Sequence, residues 1–263
     1  MTGVFPGLGT ACFVRLHVTP ATAFPLIDLP PAQVAERLAQ LLESPPPAGG
    51  PVTVAFMNMR NFVAVRRKPG ATDAFSAMDQ IYPDGVGLQI ARQLLGLPGF
   101  ARVSGTDTVP LLLDRLPLGS RVFLLGGNRA ISAAAQAHFP QIFPRAILAG
   151  AHHGFFAEAE EDEVLAGIVR ARPDVLLVGM GSPLQERWLA SNRHRLPASL
   201  AVCVGGLFYY WAEELRRAPP TLRQIGLEWL WILAQQPFKW RVYSFDAVAF
   251  AAALLHLKRL PGA

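Results

Sequence analysis

Short apolar runs alternate along the chain with stretches of helical spacing, and most of the apolar runs stop at a glycine, proline or asparagine. The runs Val52–Phe56, Gln80–Tyr82, Arg121–Leu125, Ala146–Ala149, Val175–Val178 and Leu200–Val204 predict strands. Helical spacing falls between them, over Ala32–Leu42, Met59–Arg67, Gly87–Leu95, Thr106–Leu116, Ile131–His138 and Glu160–Ala171. Gly96 reads as a helix stop, Thr106 or Asp107 as a cap, and Ser182-Pro183 as the N-cap and first turn of one more helix. Strands that alternate with helices build a mostly parallel sheet with helices on both faces, a Rossmann-like α/β fold. Residues 1–30, rich in Pro, Gly and Thr, predict a loosely ordered lead-in, and Ser44–Gly50 a linker. The domain plan is therefore a lead-in and first helix over 1–50, a catalytic core over 51–206 and a helical appendage over 207–263.

Half of the 263 residues are apolar, enough for a sizeable core. The net charge of +5 is concentrated in the appendage. From Arg216 onward the basic residues are Arg216, Arg217, Arg223, Lys239, Arg241, Lys258 and Arg259, against Glu228 and Asp246, which accounts for the whole excess. Trp229, Leu230, Trp231, Leu233, Phe238, Trp240 and Tyr243 interleave with these cations, a mixture suited to a lipid headgroup layer rather than to nucleic acid. A helix packed onto the core is the alternative, and an exposed apolar appendage also allows a homo-oligomer. Cys12 and Cys203 are too far apart in sequence to suggest a zinc motif or a disulfide framework. With no leader pattern and no spanning run, the expected location is cytoplasmic.

In an open parallel sheet, ligands bind beyond the carboxyl ends of the strands, which directs attention to the loops after Phe56, Tyr82, Leu125, Val178 and Val204. Tyr82-Pro-Asp-Gly-Val-Gly87 sets one carboxylate between a strand end and two glycines, making Asp84 the first candidate for a general base; an Asp-Gly turn is the plainer alternative. Asn58 suits either a hydroxyl contact or a helix cap. Arg102-Val-Ser-Gly-Thr-Asp107 gathers a cation, two hydroxyls, one of them Ser104, and a carboxylate around a glycine. Val178-Gly-Met-Gly-Ser-Pro-Leu-Gln-Glu186 runs from strand to helix, so Gly179 and Gly181 suit either a phosphate cradle or an ordinary tight turn. Metal motifs are absent; His152 and His153, as sequence neighbours, are expected to point apart, and Glu158–Glu163 reads as a solvated helix start. There is no Gly-x-Ser-x-Gly elbow, and Gly126-Gly127-Asn128 falls short of a dinucleotide fingerprint.

Taken in order, Pro83-Asp-Gly-Val-Gly87, Arg102-Val-Ser-Gly-Thr-Asp107, Phe123-Leu-Leu-Gly-Gly127, Val178 to Glu186, Val204-Gly-Gly206, and Arg217-Ala-Pro219 followed by Gly226-Leu-Glu-Trp229 resemble the WecG/TagA/CpsF family, glycosyltransferase family 26, from about Pro51 to Tyr243. The resemblance implies inverting, metal-independent and cofactor-free transfer from a UDP-sugar to a polyprenyl-diphosphate-linked saccharide. That chemistry belongs at the inner membrane face, in exopolysaccharide or other envelope glycan synthesis. It makes Asp84 the catalytic base and places Asn58, Arg102, Ser104 and Gln185 in the substrate pocket. Departing UDP would meet the glycine turns at Gly126, Gly127, Gly179, Gly181 and Gly205, while Arg217, Arg223, Lys239 and Arg241 would meet the lipid diphosphate or membrane. Three positions depart from the family pattern: Phe56 where Thr is frequent, Tyr209 in place of an Asp, and Ile232 in place of an Arg. Tyr209 and Ile232 motivate the alternative of a non-catalytic protein that binds a nucleotide-sugar or lipid diphosphate.

Overall fold

A computed structural model describes residues 12–19, 22–43, 49–96, 99, 101 and 103–258. The chain opens with β1 (Cys12–His17), β2 (Ala23–Asp28), α1 (Pro31–Gln40), β3 (Val52–Met57), α2 (Met59–Arg67), α3 (Ala71–Ser76), β4 (Gln80–Pro83), α4 (Val86–Leu94) and α5 (Gly105–Arg115). It continues through β5 (Arg121–Gly126), α6 (Arg129–Ile142), β6 (Ile147–His152), α7 (Glu161–Ala171), β7 (Val175–Gly179), α8 (Leu184–Asn192) and β8 (Leu200–Cys203). The helices α9 (Leu207–Trp211), α10 (Pro220–Gln224), α11 (Glu228–Gln235) and α12 (Trp240–Lys258) complete it. Six strands form one sheet in the order β4-β3-β8-β7-β5-β6, every pair parallel.

Strand periodicity divides the interior in two. Ala55, Met57, Phe123, Leu125, Leu176, Val178, Ala201 and Cys203 face a layer containing α2, α3, α7 and α8, with Phe250 of α12 against Phe62 at 5.1 Å between ring centroids. The intervening residues Val54, Phe56, Val122, Leu124, Val175, Leu177, Leu200 and Val202 face α1, α5, α6 and α9. Because both faces are covered, the strands read as continuous apolar runs.

The amino-terminal expectation needs correction. Residues 12–17 and 23–28 pair as an antiparallel hairpin, and β2 buries Phe24, Leu26 and Ile27 beside β4. Pro25 disguised the strand, yet proline is tolerated where a sheet has only two strands and both are edges. The Ser44–Gly50 linker falls largely outside the described residues. The short α3 was not foreseen, and α6 continues past Pro140 to Ile142, where only the last turn loses hydrogen bonding. The core also extends beyond residue 206, because Leu207, Phe208 and Trp211 of α9 are buried with Phe139 and Phe143.

Glycines at the strand ends pack backbone on backbone. A Cβ on Gly126 would meet the carbonyl oxygen of Gly179 at 2.4 Å, and one on Gly179 would meet that of Gly205 at 2.9 Å. Gly127 N–H donates to the same Gly179 oxygen at 3.1 Å. Gly126→Ala should therefore cost about 3 kcal/mol from overpacking, and lower Tm by roughly 10 °C. Gly181→Ala, with open space around it but φ +81°, should cost only about 1–2 kcal/mol; thermal melts of the two variants check the contrast.

Candidate active site

A cavity of about 260 Å³ opens over the carboxyl ends of β3, β4 and β8 and the loop after β7. Asn58, Asp84, Gly181, Gln185 and Gly205 line it, joined by Phe56, Arg60, Gly105, Thr106, Cys203 and Gly206. A larger groove, about 690 Å³, lies at the opposite sheet edge between β6 and α7, among exposed Arg129, Glu163 and Arg170. Position separates the two, since only the smaller one gathers Asn58, Asp84 and Gln185 at the carboxyl ends of the strands.

Asp84 follows directly on β4. Its N–H donates to the Met57 carbonyl at 2.8 Å, continuing the β3–β4 ladder by one bond and fixing where the side chain starts. Gly85, at φ +81°, then turns the chain into α4. Asp84 is partly accessible to the cavity, while protein atoms crowd its carboxyl group and push its pKa up to about 7. Burial is the largest cause; a hydrogen bond from Asn58 opposes it, Glu228 and Asp107 raise it further, and Arg217 lowers it.

Asn58 combines its two expected roles. Its Oδ1 caps α2 by accepting from Asn61 N–H at 3.0 Å, while its side chain also reaches Asp84. Asn61 Nδ2 donates to the Phe56 carbonyl at 2.7 Å, holding the end of β3 against the helix. Gln185 is buried and accepts from Gly205 N–H at 3.1 Å, tying α8 to the turn after β8. Neither Ser182 nor Pro183 caps α8 through a side chain, and at α5 Ser104 takes the N-cap position, also without a side-chain bond.

Other candidates land elsewhere. Gly126, Gly127 and Gly179 form the packed glycine row and do not line the cavity; of the five glycines only Gly181 and Gly205 line it, and the Gly205 N–H is taken up by Gln185. Ser104 precedes the lining residues Gly105 and Thr106 without lining the cavity itself. Arg102 lies outside the described residues. His152 and His153 stack at 4.4 Å between ring centroids, contrary to the expectation that they point apart, because the backbone leaves its strand between them. Among the described residues no cluster of three or more His, Cys, Asp or Glu is placed to hold a metal ion.

The carboxy-terminal segment docks beside the cavity through a network centred on Asp107. Arg217 and Arg223 both bond to its Oδ1, at 2.6 and 3.1 Å. Arg217 also pairs with Glu228 at 3.2 Å and lies over the Tyr210 ring at 5.3 Å. Asp107 reads in sequence as a cap, but its carboxylate serves as this anchor. Lys239 and Arg241 sit farther along, with Arg241 over the Trp240 ring at 5.5 Å. Trp229, Leu230, Phe238, Trp240, Phe245, Val248 and Leu255 are exposed on α11, α12 and the turn joining them, while Ala249, Phe250, Ala253 and Leu254 pack inward. The core-packing expectation holds for the inner face, and the outer face is apolar and exposed. Among the described residues no helix is long and apolar enough to cross a membrane.

Sequence reasoning missed Arg60, Cys203 and Gly206 as lining residues. Arg60 stands two residues after Asn58 in the first turn of α2, and that adjacency was the available signal. Glu228, which faces Arg217, lay in view within Gly226-Leu-Glu-Trp229 without a partner to give it meaning.

Residues 21–262 match the model of the glycosyl transferase WecG/TagA/CpsF family. An N-acetylglucosaminyldiphosphoundecaprenol N-acetyl-beta-D-mannosaminyltransferase of Bacillus spizizenii is 31% identical over 176 residues, 66% of this chain and 68% of that protein. The proteins of the same description in Bacillus subtilis and Staphylococcus aureus are 28% and 30% identical, over 64% and 57% of this chain and 66% and 59% of their own lengths. A parallel sheet with its carboxyl-terminal cavity, and a family match spanning nearly all of the described residues, lead to one statement: the chain belongs to the WecG/TagA/CpsF family of glycosyltransferases.

Proposed function

We propose that this glycosyltransferase moves a sugar from a UDP-sugar to a polyprenyl-diphosphate-linked saccharide, inverting the anomeric centre, with Asp84 as the base. The observation that carries the reading is the Asp84 carboxyl, raised to about 7 at the lip of a cavity made from strand ends and helix starts. A base poised there accepts a proton without being permanently saturated. The acceptor hydroxyl attacks the anomeric carbon from the face opposite UDP. Its oxygen–carbon bond forms as the bond to the UDP oxygen breaks, the hydroxyl proton passes to Asp84, and UDP leaves with the electron pair. The turn at Gly181, the first turn of α5 at Gly105 and Thr106, and Arg60 supply the cavity with N–H groups and a cation suited to a diphosphate. The lipid-linked acceptor is the class named in the relatives' descriptions.

Arg217 and Arg223, drawn together on one carboxylate oxygen, have the spacing that an anionic phosphate oxygen also accepts, and they suit the acceptor diphosphate. The exposed aromatic face, flanked by Lys239 and Arg241, suits the anionic inner surface of the membrane.

Asp84→Asn should lower UDP release by about 10²- to 10⁴-fold when UDP-sugars are screened with an undecaprenyl-diphosphate sugar. Wild-type kcat/KM should rise with pH through about 7 and then level off, as the base form accumulates. Equal UDP release by wild type and Asp84→Asn would instead favour the binding-protein reading motivated by Tyr209 and Ile232. Stability carries a second sign. Folded Asp84 binds its proton more tightly than unfolded Asp84, so the carboxyl becomes a growing burden as pH rises from about 4 to above 7. Asp84→Asn should therefore match wild type in Tm at pH 4 and exceed it at pH 8.

Asp107→Ala removes the anchor of the carboxy-terminal segment. Hydrogen exchange over residues 216–231 should accelerate at least several-fold while exchange in β3, β7 and β8 stays unchanged. Unaltered exchange in the segment would show that Asp107 does not hold it.

A further inference from the structure

Glu186 is the most deeply buried acid among the described residues, at 0% exposure. It stands in the first turn of α8, directly after Gln185. Its Oε1 accepts from Gln185 Nε2 at 2.9 Å, and its Oε2 has no hydrogen-bond partner among the described residues. Burial pushes its pKa upward, while Gln185, the backbone N–H at Glu186 and the Ser182 hydroxyl each draw it down; burial first, and then the Glu186 carboxyl, raises that of Cys203, which lines the cavity. Such a group is costly: a half-satisfied buried carboxyl is worth less to stability than an apolar side chain of the same size. The α8 dipole offsets part of the cost, but it would do so equally for an exposed acid.

The return on this cost lies one residue away. The Gln185 amide is engaged at both ends, with its oxygen toward Gly205 N–H and its amino group toward Glu186. An amide can lie either way round, and the flipped orientation would set an NH₂ group against the Gly205 N–H. An acceptor at Glu186 forbids the flip. We infer that Glu186 is a positioning residue for sugar transfer: it fixes the polarity of the Gln185 amide and, through it, the Gly205–Gly206 turn that lines the cavity. Gln185 then acts as a strut, with at most one N–H left for anything bound in the cavity, rather than as the direct substrate contact that the family resemblance implied. The inference rests on the cavity around Asp84 being the transfer site.

Glu186→Met keeps the bulk and removes the acceptor, whereas Glu186→Gln keeps a carbonyl oxygen for Gln185. With UDP-sugar and undecaprenyl-diphosphate sugar, Glu186→Met should lose on the order of 10- to 100-fold in kcat/KM, the range expected when a reacting group is misplaced by about an ångström, and Glu186→Gln should recover most of it. Tm of Glu186→Met should equal or exceed that of wild type, an outcome that a merely structural role would not produce. Exchange at the Gly205 amide should accelerate in Glu186→Met and in Gln185→Met but not in Asp84→Asn, a readout that needs no turnover. Gln185→Met/Glu186→Met should be no worse than Gln185→Met alone, because the two act in series. Wild-type turnover in Glu186→Met, an activity loss matched by a loss of Tm, or an unaltered Gly205 amide would overturn the inference. Full activity in Asp84→Asn would instead overturn the assignment of the transfer site and leave the Gly205 exchange result to stand separately.

Discussion

A carboxyl group that titrates near pH 7 must be kept from water and yet left open to a ligand, and the geometry around Asp84 meets both demands. Two adjacent parallel strands end together, so the Asp84 N–H closes onto the Met57 carbonyl and the side chain starts from a fixed point. Asn58, capping the next helix, supplies a hydrogen bond that limits the upward shift. The carboxy-terminal segment brings Glu228 and Arg217, whose effects on Asp84 are opposite in sign. Both act behind burial, which is the largest cause of the shift. Tuning of the base thus depends more on packing than on any one ion pair.

The glycines divide into two sets that look alike in sequence. Gly126 and Gly179 are register partners whose backbones approach too closely for any Cβ, which lets β5, β7 and β8 converge at their carboxyl ends. Gly181 and Gly205 have positive φ with empty space around them, which lets the backbone itself border the cavity. A Gly-x-Gly after an apolar run states only that a side chain is excluded. Whether a neighbouring strand or a ligand does the excluding is a tertiary fact.

The same limit explains what was legible beforehand. The six core strands, the parallel sheet and the placement of Asn58 and Asp84 at one rim followed from apolar runs of strand length ending in turn residues, because a sheet covered on both faces leaves little alternation to confuse. The β1–β2 hairpin was hidden by Pro25 and by a composition rich in turn formers, although its buried residues Phe24, Leu26 and Ile27 are unremarkable core types. Asp107 was legible as an acid at a helix start and illegible as an anchor, since its partners lie more than a hundred residues away. Gln185, which the family resemblance sets in the substrate pocket, lines the cavity, yet its engagement with Gly205 and Glu186 depends on which strand end packs beside α8. Position within an element can be read locally; a partner across the sheet cannot.

The appendage carries the two demands of a lipid-linked substrate on opposite faces of one segment. Its inner face is cationic and held to the core by Asp107, and its outer face is aromatic and exposed. The burial of Phe250 and Leu254 anchors the far end of α12 to α2, so the stretch between these two attachments is fixed at both ends. A surface that inserts into a headgroup layer there would load the same backbone that carries Arg217 and Arg223. Under the proposed function, contact with the membrane and delivery of a diphosphate to Asp84 are then mechanically linked, because no flexible linker separates the apolar face from the guanidinium groups. A separate membrane anchor joined by a loose tether would give affinity for the surface without orientation, and transfer to a lipid-borne hydroxyl requires both.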